Sequence, residues 1–251
     1  MVVYAVYNSK GGVGKTAAAV NLAYLASVSG YRVLLWDLDP QASATFYCRI
    51  KPKLKGGVQK LLKGNIAKRI KETQYNNLHV LPADFSERNL DIILEDTKKS
   101  KKKLRASLSE LEDDYDIVML DCHPGLSSVS EHVFDASDYV LVPLIPTTLS
   151  IRTFEQIDRY FSEKGAALGK ILPFFSLVDM RKKVHKEVFH AYINANPAFL
   201  QEYIPYASEV EKMGVRQAPL PSFSRKSKAV LAYHALWEEV RERTLPQKKL
   251  D

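Results

Sequence analysis

The sequence predicts an α/β fold: a mainly parallel, twisted sheet with helices on both faces. Three observations predict it. Short runs of continuous apolar residues, rich in β-branched and aromatic side chains, recur along the chain, and a strand that is apolar throughout is one covered on both sides. Helical patterns fall between these runs, as they do in successive β–α–β units. A Gly-rich loop stands between the first apolar run and the first helical segment. With 251 residues, no internal repeat and no low-complexity linker apart from a Lys-rich run at 98–103, a single domain over 1–251 is expected.

The elements follow in order. Residues 2–7 form the first apolar strand, and the Gly-rich loop occupies 9–14. Residues 16–28 are Ala-rich and read as a buried helix that stops near Gly30, where a glycine permits the left-handed turn of a helix end. Strands are expected at 31–36 (YRVLLW), 78–81, 116–120 (DIVML), 139–142 (YVLV) and 171–178, the last interrupted by Pro173, with a short one beginning at 203–204. Helices are expected at 151–163, 184–193 and 227–243.

Composition excludes several classes. Hydrophobic residues are 46% of the chain, ample for a core, which excludes wholesale disorder. No apolar run approaches the roughly 20 residues of a spanning helix. The N-terminus lacks the basic region and cleavage site of a signal peptide. Cys48 and Cys122 are too few and too far apart for a disulfide scaffold or a CxxC metal site, so a reducing cytoplasm is the expected compartment.

The net charge of +7 is unevenly spread. Residues 49–71 hold nine basic side chains and no acidic one, and 98–105 hold six and none, which leaves −8 for the remainder. Smaller clusters are Arg181, Lys182, Lys183 and Lys186, and Arg225, Lys226 and Lys228. Solvated helix faces and a surface that meets polyphosphate, in nucleic acid or an anionic membrane, both account for such clusters; charge alone does not separate them.

The loop Lys10-Gly11-Gly12-Val13-Gly14-Lys15-Thr16 carries the clearest chemistry. Glycine lets backbone N–H groups approach an anion closely, and the helix that follows points its positive end at the same place. Lys15 would reach the β- and γ-phosphates, and the Thr16 hydroxyl would ligate Mg²⁺. The common phosphate loop has a glycine where Ser9 stands; this chain instead has an additional lysine, Lys10. Asp37-Leu38-Asp39-Pro40-Gln41 follows the second strand, and Asp121 ends the 116–120 strand. Carboxylates at such strand ends face the ligand crevice of a parallel sheet.

The KGGVGKT loop with its two lysines, the DLDPQ motif and Asp121 resemble those of the ParA/MinD family of deviant Walker A ATPases, most of all the Soj-type ParA partition ATPases that lack an N-terminal DNA-binding domain. The resemblance spans nearly the whole chain, with its specificity in the first 45 residues and around Asp121. It implies a deviant Walker P-loop NTPase fold with ATP and Mg²⁺ as cofactors. It implies that Gly11, Gly12, Val13, Gly14 and Ala17 line the ATP with Lys10, Lys15 and Thr16, and that Lys10 crosses to the nucleotide of a second subunit. Ala17 departs from the family's usual second threonine, which should weaken binding modestly. Asp39 is expected to orient the attacking water and to lie near the metal; Asp37 is structural or in the metal's outer shell; Asp121 holds Mg²⁺ with Thr16. His123 departs from the family's Asp-x-Pro-Pro continuation. Asp179, Arg181, Pro205 and Tyr206 match positions near the adenine, although Tyr206 stands where relatives commonly have arginine.

The resemblance implies a weak basal ATP hydrolase that dimerises with ATP and binds DNA non-specifically. A ParB-like or other partner would stimulate hydrolysis, so that plasmid, chromosome or protein cargo is partitioned or positioned. The protein would be cytoplasmic, and nucleoid-associated when ATP-bound. Arg181, Lys182, Lys183, Arg216, Arg225, Lys226 and Lys228 are the expected DNA contacts. The alternative is a MinD-type membrane-cycling ATPase, which needs a C-terminal amphipathic helix that inserts into lipid. Residues 229–240 (AVLAYHALWEEV) are amphipathic, but their glutamates oppose an anionic membrane. Core packing is the better account, and no stable insertion is expected. Relatives that carry metal clusters on paired cysteines, and tyrosine kinases with a Tyr-rich tail, are disfavoured, because no such pair or tail is present.

Overall fold

Seven strands lie side by side in the order β3-β4-β2-β5-β1-β6-β7 in a computed structural model that describes residues 1–52, 66–83, 101–125, 128–163 and 169–246. They are β1 (Val2–Val6), β2 (Val33–Asp37), β3 (Lys71–Glu72), β4 (Leu78–Leu81), β5 (Ile117–Asp121), β6 (Tyr139–Leu144) and β7 (Ile171–Phe175). Each neighbouring pair is parallel except β3–β4. Part of the Lys-rich sequence, 53–65 and 98–100, lies outside the described residues.

Alternation along each strand divides the core into two layers. From β1, Val3 and Ala5 face one side, and Tyr4 and Val6 the other. The first side is covered by α3 (Lys101–Ser109), α4 (Ser128–Ala136), α5 (Thr148–Glu163) and α6 (Lys183–Ala195), through side chains such as Leu108, Phe134, Phe154 and Phe189. The second is covered by α1 (Lys15–Val28), α2 (Ser43–Tyr47), α7 (Ser208–Arg216), α8 (Leu220–Phe223) and α9 (Lys228–Thr244). Both sides of a parallel sheet must be covered, because its strands are apolar throughout.

α1 is the central helix of the second layer. Its Asn21 is fully buried and accepts a hydrogen bond from the Leu220 amide at 2.8 Å, which fixes α8 against α1. α9 lies alongside. Its apolar face (Ala229, Val230, Tyr233, Leu236, Trp237 and Val240) is buried. Trp237 packs edge-on to Tyr31 and donates to the Ser29 hydroxyl at 3.2 Å. That is the face a membrane anchor would have to expose. Among the described residues no helix is long and apolar enough to cross a membrane.

Three local features differ from expectation. Pro173 sits within β7 without interrupting it, because among the described residues β7 is the last strand of the sheet and pairs with β6 alone, so its outer edge needs no ladder donor. Residues 203–204 form no strand; the chain makes a single bridge between Val178 and Pro205. The short antiparallel β3 and the helix α2 carry too little periodic pattern to be read from sequence.

α1 ends at Gly30 as anticipated. Gly30 has φ +88°, its amide bonds the Ser27 carbonyl at 3.1 Å, and the next amide, of Tyr31, bonds Ala26 at 3.2 Å. This is a Schellman cap, which favours glycine at the left-handed position. A Cβ added there meets nothing within 4 Å, so the cost of a side chain is conformational alone. Gly30→Ala is therefore expected to lose about 1 kcal/mol of stability, the usual cost of a left-handed non-glycine residue, with nucleotide affinity unchanged. Chemical denaturation and a nucleotide titration check both halves.

Candidate functional site

The C-terminal ends of the parallel strands share one edge, and β1, flanked by β5 and β6, lies at the point where strand order reverses. Ligand crevices form there. The loop after β1 turns through Gly12 (φ +73°) and Gly14 (φ +89°), and α1 begins at Lys15. Gly14 is needed twice over: its backbone is left-handed, and a Cβ would stand 2.9 Å from the Ser176 hydroxyl. With any side chain here the Ser176 hydroxyl would have to turn away, in addition to the cost of the left-handed backbone. The first amides of α1 have no partner within the helix, and its positive end faces the loop.

Asn8 holds the loop from below. It is fully buried, donates to the Pro143 carbonyl at 2.8 Å and accepts from the Lys10 amide at 2.9 Å. Lys15 is buried and folds back so that its ammonium donates to the Lys10 carbonyl at 2.8 Å. Burial lowers its pKa, and the nearby Asp121, Cys122 and Asp39 oppose that. Lys10 points elsewhere: its ammonium donates to the Leu149 carbonyl, in the first turn of α5, at 2.8 Å.

The carboxylates divide into two kinds. Asp37 and Asp121 are register partners across β2 and β5, and both are fully buried. Asp37 is satisfied by the protein. It accepts from the Thr45 amide (2.8 Å), the Thr45 hydroxyl (2.7 Å) and the Asp39 amide (3.2 Å). Among the described residues, both Asp121 oxygens are buried without a hydrogen-bond partner. Burial, and then the Asp37 charge, raise the Asp121 pKa well above the carboxylate range. The Thr16 hydroxyl beside it counters part of that shift without reaching hydrogen-bond geometry. Burial raises Asp37 as well. Asp39 is half-buried, accepts from the Gln41 amide at 2.9 Å, and acts electrostatically on Lys15, Asp37 and Asp121.

An orphaned buried carboxylate beside a hydroxyl and a lysine fits Mg²⁺. That ion takes one or two protein oxygens and completes its shell with water and phosphate. Among the described residues no group of three or more His, Cys, Asp or Glu side chains is placed to hold a metal ion.

The expected base-contact residues also meet. Arg181 and Asp179 form a two-pronged pair, each prong 2.9 Å, which holds the Asp179 carboxyl below its ordinary range. The Tyr206 amide bonds the Val178 carbonyl at 2.9 Å, beside the Val178–Pro205 bridge, and its ring is largely exposed. This group follows β7 directly, next to Ser176 and hence to Gly14.

The basic residues do not form one set. All seven expected contacts are exposed. Arg181, Lys182 and Lys183 precede or open α6, whose core residues belong to the first layer; Arg216, Arg225, Lys226 and Lys228 belong to the α7–α9 side. Four residues that contact or position the site were not singled out from sequence: Asn8, Thr45, Leu149 and Ser176. Asn8 had a signal, a polar residue closing an apolar strand. The others act through tertiary contacts that leave no local pattern.

Fold and site together define a P-loop nucleoside-triphosphatase with a second lysine at the front of its loop. Residues 1–168 match the family model described as an AAA domain. A ParA family protein of a Chlamydia psittaci virulence plasmid is 32% identical over 179 residues, 70% of this chain and 69% of that one. Among solved structures, a plasmid partition protein from Borrelia burgdorferi bound to AMPPNP superposes with a TM-score of 0.82 at 23% identity, over 96% of this chain and 99% of the other. A single-residue variant of Cyanothece McdA in complex with ATP gives 0.82 at 20%, over 100% and 99%. The chain belongs to the ParA/MinD family of P-loop ATPases.

The orphaned carboxylate makes a pH prediction. A carboxyl whose folded pKa lies above its unfolded value costs stability when ionised, and the loss is recovered as pH falls through the folded pKa. Without nucleotide or magnesium, Asp121→Asn is expected to raise stability at pH 8 by about 1–3 kcal/mol, the cost of an unsatisfied buried group. The advantage should shrink as pH is lowered toward 5. Melting curves of both proteins across that range test it; a constant difference would contradict the assignment.

Proposed function

We propose that this chain is a ParA-type partition ATPase, one that pairs two subunits on ATP, binds DNA without sequence preference and hydrolyses ATP when a partner protein engages it. The observation that carries this reading is the different placement of the two loop lysines. Lys15 is buried beside the carboxylates, where it would meet the β- and γ-phosphates of the nucleotide in its own subunit. Lys10 lies at the rim, half-exposed, where it would reach a nucleotide held by a facing subunit. A cation delivered in trans stabilises charge at the γ-phosphate only after two subunits have met, which ties hydrolysis to dimerisation and keeps the monomer slow.

The other roles follow from position. The loop and the first turn of α1 would bind phosphates through amides, and Thr16 and Asp121 would hold Mg²⁺. When bound, magnesium offsets negative charge on the phosphates. Asp39, close to the lysine and the carboxylates yet partly open to solvent, would orient water. Asp179, Arg181, Pro205 and Tyr206 would enclose the base.

The exposed basic residues support a polyanionic partner. Burial of the apolar face of α9 favours DNA over lipid, since that helix would have to leave the core to enter a membrane. The cargo would be a plasmid, a chromosome or a protein assembly.

Lys10→Ala and Asp39→Ala are both expected to bind ATP with little loss but to hydrolyse it at least about 100-fold more slowly, the usual scale for a lost transition-state group. Single-turnover rates with filter-binding affinities separate the two effects. In a paired assay with ATP, random duplex DNA should be captured and anionic liposomes should not. Capture should weaken steeply between about 50 and 200 mM salt, and charge reversal at Arg225 and Lys226 should abolish it while nucleotide affinity stays unchanged. Liposome capture without DNA capture would replace this reading with the membrane-cycling one.

A further inference from the structure

We propose that Arg49 is a positioning residue that couples the nucleotide carboxylates to the DNA-binding face, by clamping the end of α2 onto the end of α7. The inference rests on the DNA reading above and adds its means of regulation.

The connection can be followed bond by bond. Asp37 sits beside Asp121 and is gripped by Thr45, through both amide and hydroxyl. Thr45 is fully buried, and its hydroxyl also accepts from the Ala83 amide at 3.0 Å. Thr45 lies in α2, which is five residues long, so its two bonds to Asp37 tie a short helix directly to the carboxylate. α2 closes with a Schellman cap: the Arg49 amide bonds Phe46 at 3.0 Å, and the Ile50 amide bonds Thr45 at 3.1 Å. The left-handed position of such a cap is ordinarily a glycine. Here it is Arg49, at φ +58°. Non-glycine residues held in that conformation recur at functional sites.

The Arg49 side chain gives the exception a purpose. Its guanidinium spans to α7, donating to the Arg216 carbonyl at 2.9 Å and the Gln217 carbonyl at 3.2 Å. These carbonyls lie at the end of α7, where Gln217 is itself left-handed (φ +48°) and the helix has acceptors without internal partners. A planar fork suits two neighbouring carbonyls; a lysine ammonium does not reproduce it. α7 carries Arg216, and α8 follows it toward Arg225, whose charge is felt by Tyr24 of α1. Arg49 therefore stands between a helix anchored to the nucleotide site and the segment that bears the proposed DNA contacts. The chain of bonds from Asp37 through Thr45 and Arg49 to α7 is contiguous.

The test uses the full chain with AMPPNP and magnesium, and two variants. Arg49→Lys keeps the charge and loses the fork. Arg49→Gly loses both but suits the left-handed backbone, so it should fold at least as well. Amide hydrogen exchange of 208–216 reads the linkage without DNA, and affinity for random duplex reads its consequence. In the wild-type chain AMPPNP should slow exchange in α7 and tighten DNA binding. Both variants should bind AMPPNP like the wild type yet lose about five-fold or more of each response, the scale of a coupling free energy. Variants that keep the α7 response would overturn the proposal, as would a wild-type α7 that ignores AMPPNP. So would rescue of DNA binding by Arg49→Lys but not by Arg49→Gly, which would make Arg49 a phosphate contact. If wild-type chain with AMPPNP captures no DNA, the DNA reading fails, and α7 exchange alone decides the linkage.

Discussion

Two carboxylates stand side by side at the buried ends of β2 and β5, and the structure is arranged around their repulsion. Asp37 and Asp121 are paired in register, so the strand pairing itself brings the two carboxylates close. The protein resolves half of the problem. Thr45 and the Asp39 amide surround Asp37, while Asp121 is left with neither oxygen bonded. An ionised carboxylate in that state is costly unless a cation joins it. Lys15 is the resident cation, held back on the Lys10 carbonyl, and Thr16 supplies the neighbouring oxygen. Within the chain Asp121 is thus left under-compensated, a place that suits a cation.

The elements that end at this crevice are tied down by contacts of their own. Asn8 pins the loop to β6, the Gly14 backbone lies against Ser176 at the end of β7, and α1 is fixed from the other side by Asn21 and the α9 aromatics. Each contact restrains an element that ends at the crevice. The less buried groups at the rim, Lys10, Asp39, Arg181 and Tyr206, are the ones suited to meeting something that arrives. Burial separates the part of the site that would recognise phosphate from the part that would answer to a second subunit or the base.

The phosphate loop, the strand-end aspartates and most strands could be read from sequence because their signals are local: glycines where positive φ is required, continuous apolar runs, a charged residue closing a strand. The halting of α1 at Gly30 belongs to the same class. Pro173 misleads for a physical reason, since a proline interrupts an interior strand but not the last one of a sheet. Thr45, Leu149 and Ser176 escaped because what matters about each is a partner distant in sequence. The basic residues show the same limit from another side. Their exposure is legible, but their division between the α6 side and the α7–α9 side depends on which layer each helix joins, and no charge count contains that.

The central claim is that Asp121, and not Asp37, is the carboxylate left free for the metal. A crystal structure with AMPPNP and manganese in place of magnesium tests it through the anomalous signal of the ion. The account requires one strong peak next to the Thr16 hydroxyl and within one water of Asp121, with Thr45 still bonded to Asp37. A peak ligated by Asp37 with the Thr45 bonds broken, or no peak beside Asp121 when the nucleotide is fully bound, would contradict it.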